Sequence, residues 1–199
     1  EAYKSAANYP ESAIYGFALY KQGWCHFNLT DYARAMDLFK ATVLYGEFTG
    51  SAALEKQGGA KGKNTLIREA RNDYVRAYER AGLEPQGAKE NFSTVASNPD
   101  DRFGMMELLA SLYYDAGKDR EAALAYSFLI KEKPLIAKTP DWQSRIVDCV
   151  LRAGDKKQTV AQIRKLVKVI GDVEKSGNVK TDADKKFMVA AKDRSERTL

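Results

Sequence analysis

The stretch Ala18-Leu19-Tyr20-Lys21-Gln22-Gly23-Trp24-Cys25-His26-Phe27-Asn28-Leu29-Thr30-Asp31-Tyr32-Ala33-Arg34-Ala35-Met36-Asp37-Leu38-Phe39 decides the fold. A helix runs into a short polar turn, and a second helix follows. The stretch Leu109-Ala110-Ser111-Leu112-Tyr113-Tyr114-Asp115-Ala116-Gly117-Lys118, continued by Ala122, Tyr126 and Pro134, has the same grammar. In each, a small residue of the first helix (Gly23 or Ala110) is followed 12 residues later by alanine (Ala35 or Ala122) and 4 residues after that by a ring (Phe39 or Tyr126). Small residues let two antiparallel helices approach closely, and the ring fills the gap beside them. That is the chemistry of a helical hairpin.

This pattern resembles the tetratricopeptide repeat, whose period is about 34 residues. The resemblance implies an all-α chain, a right-handed α-solenoid of antiparallel helix hairpins, or tetratricopeptide-like (TPR-like) superhelix. Repeats are expected at about 16–49, 65–99, 103–136 and 140–173, with partial helices at 1–9 and 181–199. The second repeat rests on Tyr74, Tyr78, Gly82, Ala88, Phe92, Val95 and Pro99. The chain departs from the family pattern at Glu47, where a closing proline is usual. It departs again at Val75, which stands where a small residue is expected, so that hairpin is expected to splay. The fourth repeat offers Val147 and Thr159 for its small pair. The step from the first repeat to the second is longer than the period, and the surplus falls in a glycine-rich insertion at 46–63, read as a mobile loop. Gly58-Gly59-Ala60-Lys61-Gly62-Lys63 within it is not a phosphate loop, because Asn64 follows Lys63 where Ser or Thr is needed. Glu1 is not a start methionine, and Ala2–Ala7 reads as the end of a helix stopped by Asn8-Tyr9-Pro10. The chain is therefore expected to be a single solenoid fragment of a larger protein, with parts missing upstream and downstream.

The helix boundaries carry their own signals. Thr139-Pro140-Asp141 reads as an N-cap, a first-turn proline and an acidic first turn. Asn98-Pro99-Asp100-Asp101 stops one helix and caps the next. Val160, Ile163, Val167 and Ile170 fall at helical spacing and read as a buried stripe, with Arg164, Lys165 and Lys168 turned away. No alternation is long enough for a strand.

Composition excludes several classes. Of 199 residues, 44% are hydrophobic and 30% charged, enough to bury a core. No apolar run approaches the ~20 residues that span a bilayer, so no transmembrane segment is expected. The net charge of +5 has a location: residues 1–154 hold 20 basic and 20 acidic residues, whereas 155–199 hold 12 and 7. That tail reads as a solvated helix face. Its basic residues are mostly Lys, and Phe187 is the only aromatic among them, so no nucleic-acid partner is expected. His26, the one histidine, adjoins Cys25, but neighbours on a helix point ~100° apart and share no proton. Cys25 and Cys149 are expected to be free. One His and two distant Cys fall short of a zinc set, and no paired carboxylates or nucleophile–base constellation is found. No cofactor, metal or catalytic residue is expected, and the chain is not read as an enzyme.

In the family that the chain resembles, first-helix positions line a concave inner surface. The resemblance places Phe17, Tyr20, Trp24, Phe27 and Asn28 there, then Asn72, Arg76, Glu79 and Arg80, then Glu107, Ser111, Tyr114 and Asp115, then Ser144, Asp148, Leu151 and Arg152. Some family members grip a peptide carboxylate with Lys, Asn and Arg. Tyr20 and Trp24 stand where that set would put polar groups. Two readings of the aromatic stripe stand side by side: an anchor for a peptide, or packing against an upstream repeat or the helix at 2–8. The resemblance implies a non-catalytic scaffold that binds a protein or peptide partner within a larger assembly, or an adaptor that grips a client peptide. Ala18–Leu29 and Leu66-Ile67-Arg68-Glu69-Ala70-Arg71-Asn72-Asp73-Tyr74-Val75 are similar to repeat proteins of bacterial cell envelopes, of the gliding-motility type of delta-proteobacteria. That similarity implies a periplasmic or cell-envelope location.

Overall fold

The computed structural model describes the backbone of residues 2–10, 12, 14–48 and 52–198, and side chains there except at 48, 52–64, 195, 197 and 198. Among the described residues there is no strand. Ten helices follow in order: α1 (Ala2–Ala6), α2 (Tyr15–Asn28), α3 (Tyr32–Phe48), α4 (Ala52–Arg80), α5 (Pro85–Ser93), α6 (Pro99–Asp115), α7 (Asp119–Glu132), α8 (Thr139–Arg152), α9 (Lys156–Ser176) and α10 (Asp182–Thr198). They form two compact units, Glu1–Leu108 and Leu109–Leu199, and α6 runs through the boundary.

In the first unit α2 packs on α3, and α3 on α4, with α1 against α2 and α2 against α4. Gly23 sets the approach of α2 to α3. A Cβ built on it would meet Phe39 Cε1 at 2.6 Å, and Phe39 is fully buried. Tyr20 and Trp24 close around the same ring, at centroid distances of 5.8 and 6.1 Å. In the α4–α5 pair Phe92 packs edge-on against Tyr74 (6.2 Å) and Tyr78 (5.5 Å), beside buried Val75 and Ala88. Arg71 bridges Glu47 of α3 and Asp101 of α6.

The insertion is not a loop throughout. α4 begins at Ala52, so the backbone over 52–63 is helical and carries Gly58, Gly59 and Gly62, while residues 49–51 lie outside the described residues. The glycines had argued for a loop because each costs about 1 kcal/mol relative to Ala in a helix. The unbroken helix of which Leu66, Ile67, Ala70, Tyr74 and Val75 are the buried face overrides that local preference.

In the second unit α7 packs on α8, α8 on α9, and α10 on both α8 and α9. Ala110, Ala122 and Tyr126 are buried together with Leu129 and Trp142. Val147, Ile163, Leu166, Ile170, Val173 and Met188 form the core that α8, α9 and α10 share. Two sequence readings need correction. The buried stripe of α9 is Thr159, Ile163, Leu166, Ile170 and Val173, leaving Val160 50% and Val167 56% exposed. The true stripe steps by four and three, which keeps each side chain over the core as the helix turns. Thr139 is the first residue of α8 rather than its cap, and its hydroxyl donates to the Lys133 carbonyl at 2.9 Å. Pro140 and Asp141 do occupy the first turn.

One turn geometry recurs. Gly82, Gly117, Gly154 and Gly177 end α4, α6, α8 and α9 at φ of +70°, +69°, +77° and +70°. The N–H of Lys118 donates to the Tyr113 carbonyl (2.9 Å), and that of Leu83 to Tyr78 (3.4 Å), closing helix ends through a left-handed residue. The α2–α3 turn closes the same way, Asp31 N–H to His26 at 3.0 Å, but its left-handed residue is Thr30, at φ +61°. A β-branched residue there costs about 1–2 kcal/mol. Thr30→Gly should stabilise the protein by about 0.5–1 kcal/mol in urea unfolding, since Thr30 is exposed. Gly23→Ala should cost about 1–3 kcal/mol. Gly104→Ala, with nothing within 4 Å of its added Cβ, should gain about 0.5–1 kcal/mol instead. Equal effects of the two alanines would refute the close approach of α2 to α3.

Candidate partner-binding faces

In the first unit the candidate residues of α2 divide by depth. Phe17 is 41% exposed, and the Lys21 ammonium sits over its ring, 5.0 Å from the centroid. Trp24 and Phe27 are half-buried and pack on each other at 5.2 Å, and Phe27 continues onto Tyr32 at 5.3 Å. Asn28 is exposed at the helix end. Tyr20, by contrast, is 8% exposed. Its hydroxyl donates to the Asp73 carboxylate at 2.7 Å. The continuous exposed stripe expected from the spacing is therefore interrupted: Tyr20 is a strut between α2 and α4, not a contact for a partner. Trp24 also leans inward, on Phe39.

On α4, Asp73 is buried and Arg76 pairs with it. Arg76 and Arg80 keep their side chains 45% and 67% exposed, and Asn72 is half-buried. Glu79, buried, lies 3.7 Å from the Arg80 guanidinium. Glu107 on α6 is half-buried. The structure thus brings an aromatic end and a cationic end onto helices that pack together, α2 and α4. The residues missed from sequence are Lys21 and Asp73. Spacing alone could have found Lys21, four residues after Phe17 and three before Trp24. Asp73 carried no signal, since a buried carboxylate looks like any other acid on a charged helix.

In the second unit Tyr114 on α6 is half-buried and donates to Asp148 Oδ2 of α8 at 2.8 Å. Two guanidiniums lie over its ring, Arg152 at 4.5 Å and Arg145 at 5.0 Å from the centroid. Arg152 is held by Asp119 at 2.8 Å and Arg145 by Asp141 at 3.1 Å. Arg194 of α10 donates to Ser144 Oγ at 3.1 Å and lies 3.5 Å from Asp148. Ser111 is half-buried and Asp115 exposed. Ser144 is fully buried, so it does not line an open surface. The resemblance placed Asp148 and Tyr114 on one surface, and they do meet. Arg145 and Arg194, which complete the cluster, were not foreseen. Arg194 enters from a helix some 50 residues along the chain, which no local spacing reveals.

Neither a family model nor a curated protein sequence matches this chain.

No group of three or more His, Cys, Asp or Glu side chains is placed to hold a metal ion among the described residues, and no helix there is long and apolar enough to cross a membrane. Cys25 is exposed and Cys149 buried, both as free thiols. Burial pushes the Cys149 thiol up to about 12, with Asp119 adding to the effect. His26 Nδ1 lies 3.0 Å from Asp31, whose carboxyl that bond holds below its usual range. Asp31 also accepts the Arg34 N–H, so the pair fastens the start of α3.

Burial likewise pushes the Tyr20 and Tyr74 hydroxyls up to about 12. For Tyr20 the hydrogen bond to Asp73 adds to this, while one to Trp24 works against it. Raised acids favour the fold while neutral. The stability from Tyr20, Tyr74 and Cys149 is whole below about pH 9, where the unfolded thiol starts to ionise, and is lost as the pH climbs toward 12. Absorbance at 295 nm should show a tyrosine class titrating near pH 12 that loses amplitude in Tyr20→Phe. The same variant should lose about 1–2 kcal/mol in urea, because Asp73 stays buried with one fewer donor. In a native thiol assay only Cys25 should react; a fast second thiol would place Cys149 outside the core.

Proposed function

We propose that this chain is a non-catalytic protein-binding module, built from tetratricopeptide-like hairpins that stack within each unit as a right-handed α-solenoid. Its partner is a short polypeptide segment seated on the α2–α4 face. The resemblance of its repeats to those of envelope proteins extends the proposal to a cell-envelope assembly. The observation that carries the reading is the exposed Phe17 ring under Lys21, beside half-buried Trp24, on a helix packed against the one that presents Arg76 and Arg80. Contiguous exposed apolar surface rimmed by polar groups marks interaction sites. Aromatic anchors supply most of the affinity at such sites. The exposed cations then favour a segment that pairs an aliphatic or aromatic side chain with a carboxylate and set its direction more than its strength.

Phe17 makes the cleaner test than Trp24, whose truncation would also disturb Phe39. A peptide library displayed on phage and selected against the 199-residue chain should enrich an apolar residue next to acidic ones. The enriched peptide should bind Phe17→Ala and Arg80→Glu at least about tenfold more weakly, or ~1.4 kcal/mol, with unchanged thermal midpoints. A selection that enriches nothing, or peptides that bind both variants as tightly as the parent, would overturn the proposal.

A further inference from the structure

We propose that the outward face of α9 is a second, separate interaction surface, a peripheral docking site for anionic phospholipid bilayers. The structure localises the chain's charge excess. α9 carries six cations, Lys156, Lys157, Arg164, Lys165, Lys168 and Lys175, against Asp172 and Glu174. The difference is +4 of the chain's +5. All six cations are exposed, and at ~100° per residue five of them, Lys157, Arg164, Lys165, Lys168 and Lys175, fall on the half of the helix opposite the buried Thr159–Ile163–Leu166–Ile170–Val173 stripe. The two acids are already answered: Asp172 by Lys168 and Glu174 by Lys192 of α10, each at 2.6 Å.

From Lys157 to Lys175 the row is ~27 Å long at ~1.5 Å per residue. Val160 and Val167, 50% and 56% exposed, lie along one edge of it, one above the other. A straight row of hydrated ammonium groups with two aliphatic side chains along it matches a flat array of negative charge over hydrocarbon. Clusters of four to eight basic residues on one helix are the charge density that such membranes attract. The alternatives fit less well. α9 has no aromatic to stack on bases and one Arg to fork onto phosphates, and exposed valines do nothing for a nucleic-acid backbone.

Flotation of the 199-residue chain with vesicles tests this. Phosphatidylcholine vesicles containing phosphatidylglycerol should carry the protein up the gradient, and pure phosphatidylcholine vesicles should not. Raising salt from about 0.05 to about 0.5 M should abolish the binding, because screening shortens from ~14 to ~4 Å. Lys157→Glu with Arg164→Glu should reduce partitioning at least tenfold. Lys185→Glu with Lys186→Glu on α10 changes the net charge equally and should reduce it less than threefold. Val160→Ser with Val167→Ser should weaken it a few-fold. Circular dichroism should be unchanged in all three. Equal losses in the two charge-reversed variants would show attraction to net charge alone and sink the proposal. So would absence of binding to anionic vesicles, or tighter binding of duplex DNA or polyglutamate at matched charge concentration.

Discussion

The close approach of α2 to α3 governs the first unit. Gly23 has no side chain, so the Phe39 ring occupies the space in which a Cβ would stand. With the ring seated there, Tyr20 and Trp24 close over it from α2. That closure aims the Tyr20 hydroxyl at Asp73, and Asp73 in turn holds Arg76. What α2 and α4 show to solvent is what is left over: Phe17, Lys21, the free edge of Trp24, Arg76 and Arg80. The second unit repeats the logic with Ala110, Ala122 and Tyr126. There the ring is polar, and its hydroxyl takes a hydrogen bond from Arg145 at 3.3 Å, so the packing residue also positions a surface cation.

Much of this was legible in the residues themselves. Gly23, Ala35 and Phe39, and their counterparts in the second stretch, mark a contact between helices through volume, which the side chains state directly. Helix ends at Asn98-Pro99 and at Gly117 were legible because backbone constraints are local. Three things were not. The helical backbone over 52–63 runs against glycine's preference. The buried stripe of α9 was assigned one face out of phase because valine is apolar wherever it stands, and Val160 and Val167 repeat every seven residues as a buried pair would. The fate of Tyr20 depended on Asp73, 53 residues away, and a ring read on one helix cannot announce a hydrogen bond to another.

The carboxylates Asp73, Asp141 and Asp148 share a pattern: each is largely withdrawn from water and each meets a guanidinium or a phenol from another turn or another helix. Withdrawing a charge is expensive, and the pairing offsets the cost without a large surplus. Their contribution is geometric. A half-buried acid with one well-aimed donor fixes where a long, otherwise floppy arginine ends. Arg145 and Arg152 are stacked on Tyr114 from opposite leashes, Asp141 and Asp119, and this gives that surface a defined pattern of charge instead of a mobile one.

Arg194 gives that surface its electrical balance. It lies within ion-pair range of both Asp141 and Asp148, from the far end of the last helix. Three guanidiniums, Arg145, Arg152 and Arg194, there face three carboxylates, Asp119, Asp141 and Asp148. Trimming or unwinding the end of α10 removes one of the three cations and its hydrogen bond to Ser144. The surface then turns from neutral to acidic. The polarity that α8 offers to its surroundings is thus set by the integrity of a helix end some 50 residues downstream.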